Sequence, residues 1–206
     1  MGCELESLWD NAVRVLGGVP RPTDLCERYT EPHRGYHNAD HVRQVARDAG
    51  ALAADHDERD RALVTLAALA HDIVYDGKPG DDERRSAEWV RDQLVTTGVP
   101  DGDIRRVERM VLATLTHEAV DGDRLTAVLL DADLAILGAD PLGYERYRAA
   151  VRTEYAHVDE AAWRVGRTAV LRSLLDRDQL YLTAVARDRW TARARANMAA
   201  EVAALS

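Results

Sequence analysis

Whatever chemistry this chain performs is carried by histidines and acids at a few points. His37 and His41 are four residues apart, which puts them on one face of the helix that Asn38 begins or sits within. Thirty residues on, the most apolar segment runs into Ala70-His71-Asp72-Ile73. A second apolar run, residues 128–137, is broken by Asp131 and Asp133. A His or an Asp inside such a segment costs free energy unless a partner compensates it. One divalent cation compensates several of them at once. Taken singly, each position has an ordinary reading. His71 would be a core histidine on a carbonyl, His41 part of an amphipathic surface, and Asp131 or Asp133 a cap or the partner of an Arg. Taken together on three separate segments, they point to a metal site.

The elements that position these groups all have helical spacing. Leu5, Leu8, Trp9, Val13 and Leu16 form a stripe that stops at Gly17-Gly18. Residues 38–55 carry Val42, Val45, Ala49 and Leu52 on one face, and residues 61–75 form the most buried helix. Later helices are predicted to start at Asp82, Asp103, Asp140-Pro141 and Asp159, and the last runs to about Leu205. Loops are expected at 19–22, 76–81 and 121–124, and no alternating strand pattern or repeat appears. The predicted fold is all-α: a single domain over residues 1–206 with about eight or nine helices. No Phe is present, so Trp, Tyr and Leu must fill the larger gaps between Ala-rich helices.

Composition excludes several classes. The 206 residues include 27 Lys+Arg and 36 Asp+Glu, a net charge of −9 that argues against extended nucleic-acid binding. A hydrophobic share of 46% with 31% charged residues suits a soluble globular protein. No run approaches a membrane span, and the acidic N-terminal residues do not form a secretory signal. Cys3 and Cys26 do not amount to a disulfide framework. A cytoplasmic location is expected.

The series His41, His71-Asp72, then an Asp within Asp131-Ala132-Asp133-Leu134 resembles the H…HD…D signature of the HD-domain superfamily of metal-dependent phosphohydrolases. Tyr36-His37-Asn38-Ala39-Asp40-His41 is similar to the Tyr-His-Asn-x-x-His motif of cyclic-nucleotide phosphodiesterases in that superfamily. Beyond that stretch the similarity to them is slight. Glu31-Pro32-His33-Arg34, Asp82-Glu83 with Ser86-Ala87, and Val151-Arg152-Thr153-Glu154-Tyr155 extend the resemblance to a small bacterial group of predicted HD phosphohydrolases. It implies an HD-type helical bundle whose metal ligands are His41, His71, Asp72 and Asp133. Asp133 is preferred to Asp131 because it directly precedes a Leu. Asp72 would bridge a second ion if one binds.

The resemblance also implies roles around the metal. His37 takes the general-acid position, with orientation of His41 as its alternative. Glu83 matches an acid that orients the water, or is the capping-box partner of its helix. His117 matches an additional histidine for a second metal or a phosphate oxygen. Arg34 and Arg152 are candidates for substrate phosphate because a guanidinium grips two oxyanions. Lys78, the sole lysine, sits in a loop just past His71-Asp72. The implied reaction is hydrolysis of a phosphate ester, a small nucleotide or phosphomonoester, by a metal-activated water. Imidazole-rich ligation favours one or two ions of Mn, Fe, Co, Ni or Zn over Mg. Two other readings stay open: an HD-fold di-iron oxygenase, and a non-catalytic helical regulatory module that keeps its metal for stability. The oligomeric state is open, a homodimer included.

Overall fold

The computed structural model describes residues 3–120 and 122–205, and it contains no strand among them. Residues 1 and 2 of the N-terminal reading, and Asp121 of the 121–124 loop, lie outside the described residues. The helices are α1 (Glu4–Val15), α2 (Leu25–Arg28), α3 (Ala39–Leu52), α4 (Glu58–Ala70), α5 (Asp81–Val95), α6 (Asp101–Ala113), α7 (Arg124–Asp133), α8 (Pro141–Glu154), α9 (Glu160–Leu175) and α10 (Ala184–Leu205). A 3-10 helix, Leu134–Gly138, joins α7 to α8. The single-turn α2 accounts for the excess over the expected eight or nine. Among the described residues no helix is long and apolar enough to cross a membrane.

By internal packing the chain divides into two compact units, up to Asp133 and from Leu134 onward. In the first, α4 is the hub and packs against α1, α3, α5, α6 and α7. A continuous apolar face is the reason: Leu63, Val64, Leu66, Ala67, Ala68, Leu69 and Ala70 are all fully buried. Runs of Ala let neighbouring helices approach closely, while Trp9, Tyr29 and Met110 fill the wider gaps. In the second unit, α10 packs on α9 and on the 3-10 helix. There a methyl group on Gly138 would meet the Cβ of Trp190 at 2.6 Å, so only glycine fits.

Helix starts follow side-chain caps at Asn38, Asp57, Asp140 and Asp159, each of which accepts a first-turn N–H. Two predicted caps lie elsewhere. Gly80, at φ 84°, precedes α5, and Pro100 precedes α6. Asp82 is instead turned back, and its carboxylate accepts the N–H groups of Asp76 and Lys78 at 3.0 and 2.8 Å. Asp103 pairs with Arg59.

The cysteines also differ from expectation. Cys3 and Cys26 are joined in a disulfide that ties the start of α1 to α2. One bond is no framework, yet disulfides persist mainly in oxidising compartments. The cysteine count therefore lends no support to the expected cytoplasmic location.

Candidate metal centre

Helix α3 presents His41 one turn in from its capped start. Asn38 accepts the N–H groups of Asp40 and His41, and its own amide donates to the Gly35 carbonyl at 2.9 Å. His37 therefore precedes the helix instead of sharing a face with His41, which corrects the predicted placement. Its ring stacks on Tyr75 with centroids 4.2 Å apart and stands edge-on to His41 at 5.5 Å.

Helix α4 stops at Ala70, so His71 caps it and Asp72 lies in the turn beyond. The His71 Nδ1–H donates to the Ala68 carbonyl at 2.9 Å, which leaves Nε2 with its lone pair free to act as a ligand. Tyr29 secures the same helix end through a 2.9 Å bond from its hydroxyl to the Leu69 carbonyl. From α7 comes Asp133, with one carboxylate oxygen accepting from His117 Nε2 at 2.9 Å. Among the described residues His117 is the one non-glycine with positive φ, at 51°.

Ligand atoms of His41, His71, Asp72 and Asp133 all lie within 4.8 Å of one another. Asp131, buried on the same helix, is not among them. His71 Nε2 is 3.0 Å from Asp72 and 3.5 Å from Asp133, and His41 Nε2 is 3.2 Å and 3.5 Å from the same carboxylates. The two Nε2 atoms are 3.3 Å apart. Donors about 2.1 Å from one ion lie about 3.0–3.4 Å apart when they share an edge of an octahedron or tetrahedron, so the four residues fit a divalent cation.

Electrostatics agree with that fit. Burial holds the His41 imidazole below its usual range, although Asp72 and Asp133 pull the other way. His71 feels the same burial, but the two carboxylates outweigh it and its pKa stands well above the ordinary value. Asp72 and Asp133 are desolvated too, yet the facing histidines hold both carboxyls well below the usual carboxylate range. Two carboxylates and two imidazoles thus face a space that one cation would fill.

Residues 38–135 match the family model described as HD domain. This chain carries an HD domain. The match begins at the cap of α3 and ends two residues past Asp133, so the HD domain spans all four cluster residues. Comparison with curated proteins and with solved structures gives no match.

The remaining predicted residues fall into place around the HD domain with varied roles. Glu83 accepts the Gly80 N–H at 2.5 Å, the capping-box alternative to a water-orienting role. Lys78 is exposed on the loop that Asp82 stitches together. Arg152 belongs to the second unit. It donates to the carbonyls of Tyr155 and Val158 and lies over the Trp163 ring, so its guanidinium serves the end of α8. Arg34 is fully covered and bonded to carbonyl oxygens, not open to a substrate.

Tyr29, Tyr75 and Ser86 support the site without standing out in the sequence as single functional positions. Ser86 accepts the Val74 N–H at 3.1 Å, anchoring the strand of chain that follows Asp72. Tyr29 and Ser86 bond backbone groups distant in sequence and Tyr75 stacks on the His37 ring, contacts for which composition and spacing hold little signal. Tyr75 alone had a cue, its place three residues past Asp72.

Proposed function

We propose that this protein is a metal-dependent hydrolase of a phosphate ester, acting on a small nucleotide or phosphomonoester. The observation that carries the reading is the convergence of His41, His71, Asp72 and Asp133 inside the HD domain. Proteins with HD domains are in general metal-dependent phosphohydrolases. A divalent ion held by those four residues supplies Lewis-acid polarisation of a phosphoryl oxygen and a lowered pKa for water.

The chain's own groups take the other tasks. His37, half-buried and held by its stack on Tyr75, delivers a proton to the departing oxygen from an imidazole nitrogen. Asp133, fixed by His117, keeps its second oxygen toward the cluster. Lys78, the exposed cation on the loop after Asp72, is the candidate for substrate phosphate, because Arg34 and Arg152 are committed elsewhere. Mn, Fe, Co, Ni or Zn suits two imidazoles and two carboxylates better than Mg. A cytoplasmic site of action belongs to this proposal and requires that function survive reduction of the disulfide between Cys3 and Cys26.

The test is a phosphoester panel: p-nitrophenyl phosphate, its bis-ester and a set of nucleotides, with each of those metals added to metal-stripped protein. Release of phosphate or alcohol without O₂, lost in the His37→Ala and Asp72→Ala variants, supports the reading. A metal-loaded protein inert on the whole panel overturns it.

A further inference from the structure

Arg34 reaches both turns that meet at the candidate metal centre. Its Nη1 donates to the carbonyl of His37 at 2.9 Å and to that of Asp72 at 2.7 Å. The first carbonyl precedes the cap of α3, one turn before His41; the second belongs to a cluster residue itself. Nη2 donates to the Ile73 carbonyl at 2.9 Å, and Nε to the Glu31 carboxylate at 3.0 Å. Four of the guanidinium's five N–H groups are thus committed within the protein. The head lies 5.0 Å from the Tyr29 ring and 5.8 Å from that of Tyr75, with no side-chain surface open to solvent.

We propose that Arg34 is a positioning residue of the metal centre, a clamp that sets the separation between His41 and the His71–Asp72 turn. The inference rests on the reading of the cluster as a metal centre. One terminal nitrogen bonds both turns, so neither can move without breaking a charge-assisted bond. The planar fork is needed because three carbonyls in two turns face different N–H directions. A lysine ammonium is a single point with a shorter reach and cannot meet all three. Glu31 supplies the countercharge and holds the fork's orientation from the side away from the cluster.

The fold has a second link between the same segments. The Tyr29 carbonyl accepts the Ala39 N–H at 3.2 Å, while its hydroxyl reaches Leu69. That link survives removal of Arg34, so the variants keep their helices and lose the fine spacing of the donors.

The experiment is calorimetric titration of the metal-stripped full chain with Zn²⁺ and Co²⁺, together with the visible absorption of the Co²⁺ form. Arg34→Lys, Arg34→Ala and Glu31→Gln are compared with wild type and with Met110→Ala, a buried change on α6 that lowers stability by a different route. Both Arg34 variants are expected to bind metal about 10–100-fold more weakly, Lys failing to rescue, with an altered Co²⁺ spectrum. Glu31→Gln falls between them and wild type, and Met110→Ala keeps wild-type affinity despite its lower melting temperature. If Arg34→Ala does not fold, Arg34→Lys and Glu31→Gln carry the test. Wild-type affinity and spectrum in Arg34→Lys overturn the clamp alone. A wild-type chain that takes up neither ion overturns the metal-centre reading beneath it.

Discussion

The Nε2 atoms of His41 and His71 face one another at 3.3 Å, with Asp72 and Asp133 closing the same space. Two lone pairs cannot point at each other without cost, and two imidazolium protons cannot either. A proton shared as an N–H donor, or a cation, must lie between them. Without metal, that is the proton on His71, whose pKa is raised by the two carboxylates in spite of burial.

Metal binding is therefore coupled to proton release. An incoming ion displaces the His71 proton, so affinity rises with pH through the raised His71 range and falls in acid. Titration in two buffers of different ionisation enthalpy measures the protons released. A value near zero at pH 7 contradicts the raised His71 pKa.

Stability of the metal-free protein follows from the same groups. His71 contributes stability that is full below its unfolded pKa and is lost as pH rises through the higher folded value. Asp72 and Asp133 contribute above the ordinary carboxylate range, and that part is lost as pH falls. Thermal melts of the stripped protein should weaken on both sides of neutrality. Saturating metal should remove the alkaline loss, because the ion replaces the proton. At 100 times the dissociation constant it adds about 2.7 kcal/mol.

Reduction of the disulfide is the next expectation. Cys3 and Cys26 are 23 residues apart. Opening a loop of that length lowers unfolding free energy by about 3 kcal/mol on the chain-entropy account. Urea unfolding with and without a phosphine reductant measures it, and Cys26→Ser should be insensitive to the reductant.

Two glycines separate crowding from conformational freedom. Gly138→Ala places its methyl group against Trp190 and is expected to cost about 1–3 kcal/mol. Gly166, inside α9 with open space around it, should gain about 0.5–1 kcal/mol on change to Ala. Chemical denaturation of the two variants checks both signs.

Helical class and the cluster's membership were legible because both rest on local patterns. Apolar periodicity marks α1, α3 and α4, and acids or histidines inside apolar runs stand out without any knowledge of the fold. Spacing of four from His41 suggests a shared helix face for His37; only the capping of α3 by Asn38 shows that it stands before the first turn. The sequence offers Arg34 as a substrate contact because a guanidinium grips two oxyanions. Two of its partners are carbonyls 38 and 39 residues away, and backbone carbonyls have no sequence signature. The boundary between the two compact units at Asp133 has no local signature either. No Pro- or Gly-rich linker marks it, and the chain passes directly from α7 into the 3-10 helix.

The most direct measurement is metal content after dialysis of the stripped protein against Mn²⁺ or Zn²⁺, for wild type and for Asp72→Ala and His71→Ala. The structure predicts at least one equivalent bound per wild-type chain and loss of that ion in both variants. A wild-type chain that retains no ion, or variants that retain as much as wild type, would contradict the metal centre and the hydrolase built on it.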